Sequence, residues 1–86
     1  MNRIITQNGK IESAALFALG YLGVDNVIVH VSVNKGLLQM LSTSMITIEA
    51  VTYPAGVEHS YSLILDSPWP NVQVIFHEMV HLKQYE

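Results

Sequence analysis

The segment that most constrains the fold is residues 72–82, because it can persist as a helix only if something covers one side of it. At about 100° per residue, Val72, Ile75, Phe76, Met79, Val80 and Leu82 fall in one broad stripe, roughly 140° to 300° round from His77. His81 and Tyr85 fall on the other side, at roughly 40° and 80°, and Glu78 flanks them at roughly 100°. An amphipathic helix of this kind lays its stripe on a core and turns the opposite face outward. Met79 and Phe76 are therefore expected inside, with His77 and Glu78 facing a cleft. Asp66 and Ser67 are N-cap types, and Pro68 and Pro70 fit only in or before a first turn, so the helix is expected to begin there.

The outward face carries the one pattern in the chain with a mechanism of its own. His77-Glu78-Met79-Val80-His81 reads H-E-x-x-H. Residues four apart stand one turn above each other, so the imidazoles of His77 and His81 can converge on one metal ion, Zn²⁺ in this motif. Glu78 lies beside that position without having to ligate, where it can take a proton from a water attacking a carbonyl.

Composition narrows the rest. The 86 residues suffice for one small domain spanning 1–86. Half are hydrophobic and 13% are charged, the balance of a globular chain and not of a disordered one. A net charge of −3 offers no electrostatic basis for binding nucleic acid or an anionic membrane. With no cysteine, a metal must be held by histidine and carboxylate alone. The start, Met1-Asn2-Arg3 followed by polar Thr6-Gln7-Asn8, does not resemble a signal peptide, and the longest apolar run, 14–19, is too short to span a bilayer. The expected compartment is cytoplasm, of a microbe or of a virus-infected cell.

Ahead of the motif the chain reads as helix, then strands. Ile11, Ala14, Ala15, Ala18, Leu19 and Leu22 recur at helical spacing over 10–22, with Gly23 as a C-terminal cap. Valines at 27, 29, 31 and 33 alternate with Ile28, His30 and Ser32 in a period-two strand. Asn34-Lys35-Gly36 reads as a tight turn, and 37–41 fits either a short strand or a helical turn. Residues 45–53 read as a strand with Ile46, Ile48 and Ala50 on one face. Pro54-Ala55-Gly56 turns the chain into 57–66, with Val57, His59, Tyr61, Leu63 and Leu65 aligned on one face. The sum is an α+β domain: an N-terminal helix, an antiparallel-rich sheet of 3–4 strands, and the motif helix last.

His77-Glu78-Met79-Val80-His81 with the following Leu82-Lys83-Gln84-Tyr85 resembles the active-site helix of zincin metallopeptidases, most nearly the small SprT-like and minimal gluzincin domains. The resemblance covers the final third of the chain; the remainder agrees only in element order. It implies that His77 and His81 bind zinc, that Glu78 is the general base, and that a strand beside the cleft holds a peptide or protein substrate. The pattern departs from the family in one respect: zincins usually draw a third protein ligand from further along, and five residues follow His81 here.

Catalytic zinc ordinarily has three protein ligands and a water. Glu86, His59, Asp66, His30 and Glu58 are the candidates for the third, although Glu86 falls at roughly 180° on a regular wheel, away from the histidines. His59 and Tyr61 fit more naturally as substrate or oxyanion contacts. Three explanations stay open: a ligand from a missing C-terminal segment, a partner chain that completes the site, or a motif kept without catalysis. An ending on Gln84-Tyr85-Glu86 without a helix cap favours the first. Two function classes follow: a zinc-dependent peptidase, with little activity expected from these residues alone, or a non-catalytic zincin-like module for structural or protein contacts within a larger assembly.

Overall fold

The computed structural model describes residues 1–86. In chain order the elements are β1 (Arg3–Ile5), α1 (Gly9–Tyr21), β2 (Ile28–Val33), α2 (Lys35–Leu41), β3 (Ala50–Pro54), β4 (Ser60–Leu65) and α3 (Val72–Tyr85). The α+β class holds, with a helix near each end of the chain. The strands form one four-stranded sheet in the order β1-β2-β4-β3.

The pairing differs from the expected antiparallel-rich sheet. β1 with β2 and β2 with β4 run parallel, and only β3 with β4 is antiparallel. The reason is the connections: α1 returns the chain so that β2 enters alongside β1 in the same direction, and β3 runs back as the outer strand so that its hairpin brings β4 in parallel to β2. β1 is absent from the sequence reading because it is three residues long with only Ile4 buried, too short to show a period.

One core explains the packing. Ile11, Ala15, Ala18 and Leu19 of α1 and Ile75, Met79 and Leu82 of α3 meet Ile4, Val29, Tyr61, Leu63 and Leu65 of the strands. Tyr61, Leu63 and Leu65 thus share a face, as their spacing predicts. The alternation fails just before them: His59 takes a left-handed φ of 61° and Val57 is exposed, because both lie in the connection between β3 and β4. On the reverse face of the sheet α2 packs against β4, where Leu38 and Ile64 are buried. Covered on both sides, β4 is buried along almost its whole length and ends on the apolar run Leu63-Ile64-Leu65.

Local chemistry accounts for the ends. Asn8 caps α1 by accepting from the amides of Lys10 and Ile11, and Gly23 follows that helix with φ 75°, the left-handed conformation that closes helices. Asn34 does not begin a tight turn; it caps α2 by accepting from the Leu37 amide. The α3 cap is Asn71, which accepts from the Gln73 amide at 2.8 Å, so the helix starts after both prolines and not at Asp66-Ser67. The strand expected over 45–53 is shorter at its start. Ala50 pairs with Leu65 and the Glu49 carbonyl accepts from the Asp66 amide, whereas the backbone of Met45, Ile46 and Ile48 bonds back to Thr43 and Ser42 and not to a strand, with Met45 and Ile46 exposed. No helix is long and apolar enough to cross a membrane.

Candidate metal centre

α3 lays Ile75, Met79 and Leu82 on the sheet, as its apolar stripe requires, and this orientation turns His77 outward. Phe76 departs from expectation: it is half-buried at the edge of the core, its ring 5.6 Å from that of Tyr21. At roughly 260° it lies near the margin of the stripe, where a neighbouring helix covers only part of the ring.

The two imidazoles converge. Their Nε2 atoms are 3.0 Å apart and the rings stand nearly perpendicular, at 89°. Two bare nitrogen lone pairs at that distance repel, so either one proton or one cation must lie between them. Gln84 Oε1 is 3.3 Å from His81 Nδ1, a contact that an Nδ1–H tautomer would satisfy while leaving the Nε2 lone pair toward His77. Converging in this way, His77 and His81 would be the residues to hold a zinc ion through Nε2.

Glu78 is the third member. Donor atoms of His77, Glu78 and His81 all lie within 4.8 Å of one another, a grouping that could hold a metal ion. The carboxylate is buried, 6% exposed, and forms the floor of the groove between α3 and β3. Its Oε1 accepts from the Thr52 hydroxyl at 2.8 Å. No fully buried side-chain oxygen lacks a partner, so Oε2, which has none in the protein, is reached from the groove. Thr52 pairs with Leu63 and therefore shares the sheet face that α3 covers. Sequence reasoning missed this residue. The available signal was a hydroxyl at the fourth inner position of the series Ile46, Ile48, Ala50, Thr52.

The residues proposed to complete the site are brought together, but elsewhere. His59, Tyr61 and Glu86 form their own cluster where the end of α3 meets the start of β4. Glu86 Oε1 and Oε2 lie 2.9 and 3.1 Å from His59 Nδ1, and the Tyr61 hydroxyl donates to Oε2. Glu58 pairs with the other side of the His59 ring at 3.2 Å. None of these residues joins the His77–Glu78–His81 group, and neither does Asp66. His30 cannot join it: the residue pairs with Ser62 on the sheet face turned away from α3.

Burial, reinforced by the Glu86 carboxylate, pushes the Tyr61 phenol up to about 12. The Tyr61 hydroxyl, helped by His59, holds the Glu86 carboxyl below its usual range. The end of α3 is therefore tied down and not uncapped. The Glu86 amide bonds the carbonyls of Leu82 and Lys83, and its side chain turns back to β4. A regular wheel does not describe Glu86 because the helix ends at Tyr85.

No family model, curated protein or solved structure matches this chain.

Proposed function

We propose that the protein is a zinc-dependent peptidase of zincin type, with His77 and His81 as metal ligands and Glu78 as general base. One observation carries the reading: two Nε2 atoms meet beside a buried carboxylate whose free oxygen opens into the same groove. Neutral imidazoles with a neighbouring carboxylate form a donor set suited to Zn²⁺. Zinc held there supplies Lewis-acid activation of a water and of the substrate carbonyl.

The remaining work falls to the chain itself. Gln84, 3.3 Å from His81 Nδ1, would help orient that ring for ligation through Nε2. Glu78 takes the proton from the attacking water on Oε2 and passes it to the leaving amine. β3 is an edge strand, paired only with β4, and its residues 50–52 line the groove with His77 and His81. An extended peptide can add to that edge through main-chain hydrogen bonds, which places a carbonyl alongside the histidines. The reading keeps the protein in the cytoplasm.

The test pairs binding with turnover. Calorimetric zinc titration should show binding that His77→Ala and His81→Ala each abolish. Incubation with a broad peptide library should give weak, chelator-sensitive cleavage that Glu78→Gln removes. Histidine-dependent zinc binding without any cleavage would favour the second reading, a non-catalytic interaction module. Exposed Phe17, Tyr21 and Trp69, large aromatics of the kind found at protein contacts, support that alternative.

A further inference from the structure

We propose that Thr52 is a positioning residue that decides which of two roles Glu78 plays, keeping the carboxylate as a base by holding it off the metal. The inference rests on the metal reading of His77 and His81. Its starting point is a conflict within the site. A pair of histidines is an incomplete ligand set, and the nearest further donor is Glu78, whose oxygen lies within 4.8 Å of both imidazoles. A carboxylate that joins the metal gives up the lone pair it needs as a base, and it also fills a position that a water or a carbonyl would occupy.

What opposes that collapse is visible in the packing. Glu78 makes no ion pair, and its only side-chain hydrogen bond is the 2.8 Å contact from Thr52. Thr52 is itself 6% exposed, held in β3 opposite Leu63, and a β-branched side chain in a strand has few rotamers to wander among. The donor is therefore fixed to the sheet while the acceptor rides on α3. A charge-assisted bond between buried groups resists rotation of the carboxylate toward the histidines, and a partner lost from a buried carboxylate would drive it to find another. In the absence of the hydroxyl, the nearest such partner is the metal.

The experiment uses zinc alone for affinity and Co²⁺ alone for its visible spectrum, which reports the number and kind of ligands. Thr52→Val keeps the shape and removes the hydroxyl. It should bind zinc roughly tenfold more tightly than wild type, a shift of the size that outer-shell partners exert. The cobalt bands should move as a carboxylate enters. Thr52→Ser should restore both wild-type values, and Thr52→Val combined with Glu78→Gln should lose the gain. Unchanged affinity and spectrum in Thr52→Val, or a gain that survives the double substitution, overturns the inference while leaving the metal site standing. Should Thr52→Val fail to fold, Glu78→Gln alone decides: an unaltered cobalt spectrum means Glu78 is held off the metal, and an altered one overturns the inference. Failure of the wild type to bind zinc through His77 and His81 removes the metal reading and this inference together.

Discussion

Met79→Ala is the sharpest test of how α3 is seated. Met79 is fully buried within the core shared by both long helices and the sheet. Truncation deletes Cγ, Sδ and Cε, which at about 0.8 kcal/mol per methylene-sized group is roughly 2.4 kcal/mol of lost transfer energy. The unfilled space adds to this, so the cost is about 3 kcal/mol or slightly more, inside the range for buried methionine truncations. A domain of this size has roughly 4–13 kcal/mol in all, and about 3 kcal/mol should lower its melting temperature by roughly 12–24 °C. Phe76→Ala is the internal control. Its half-buried ring and its packing on Tyr21 predict about 1.5–2.5 kcal/mol, less than the 3–5 kcal/mol typical of a fully buried aromatic. Urea melts of both variants at unchanged m-value supply the comparison. If Phe76→Ala costs as much as Met79→Ala or more, α3 is rotated from the orientation that brings the histidines to the groove.

Three further outcomes are expected. Glu78→Gln should change stability by less than about 1 kcal/mol, because an amide oxygen can still accept from Thr52 while a buried charge is removed; a larger loss in the same melts would contradict the observed hydrogen bond. Zinc binding should weaken on acidification, since the imidazoles must shed protons to ligate, and calorimetry across pH would expose a flat profile as contrary. The Tyr61–Glu86 pair should leave two marks on stability. The Glu86 carboxyl is depressed when folded, so its contribution is present above the ordinary 4.5 and is lost as pH falls through the lower folded value. The Tyr61 phenol is raised, so its contribution is full below pH 10 and is lost as pH climbs through about 12. Glu86→Gln should flatten the acid limb and Tyr61→Phe the alkaline one, read from melting temperature against pH.

Local periodicity made much of the molecule legible. The α3 stripe placed Ile75, Met79 and Leu82 inside and His77 outside, since a helix with one apolar face has one way to lie on a core. The same logic aligned Tyr61, Leu63 and Leu65 on β4 and set the β3–β4 hairpin. Features that depend on partners distant in the chain were not legible. β1 exists because Val27 and Ile28 offer it an edge, and its three residues carry no pattern of their own. Residues 45–48 alternate as a strand should, yet their backbone bonds back to Ser42 and Thr43 and not to β4. Glu78 looked like a groove-facing residue on the wheel, and only packing against β3 revealed its buried bond to Thr52, 26 positions away. His59 and Glu86 looked like candidates for the third ligand and Tyr61 like a substrate contact, yet the three form a separate network, because the end of α3 comes to rest against the start of β4. A helix or strand face follows from steric repeat along the chain, whereas the neighbour that a polar side chain meets across the core depends on how those faces stack.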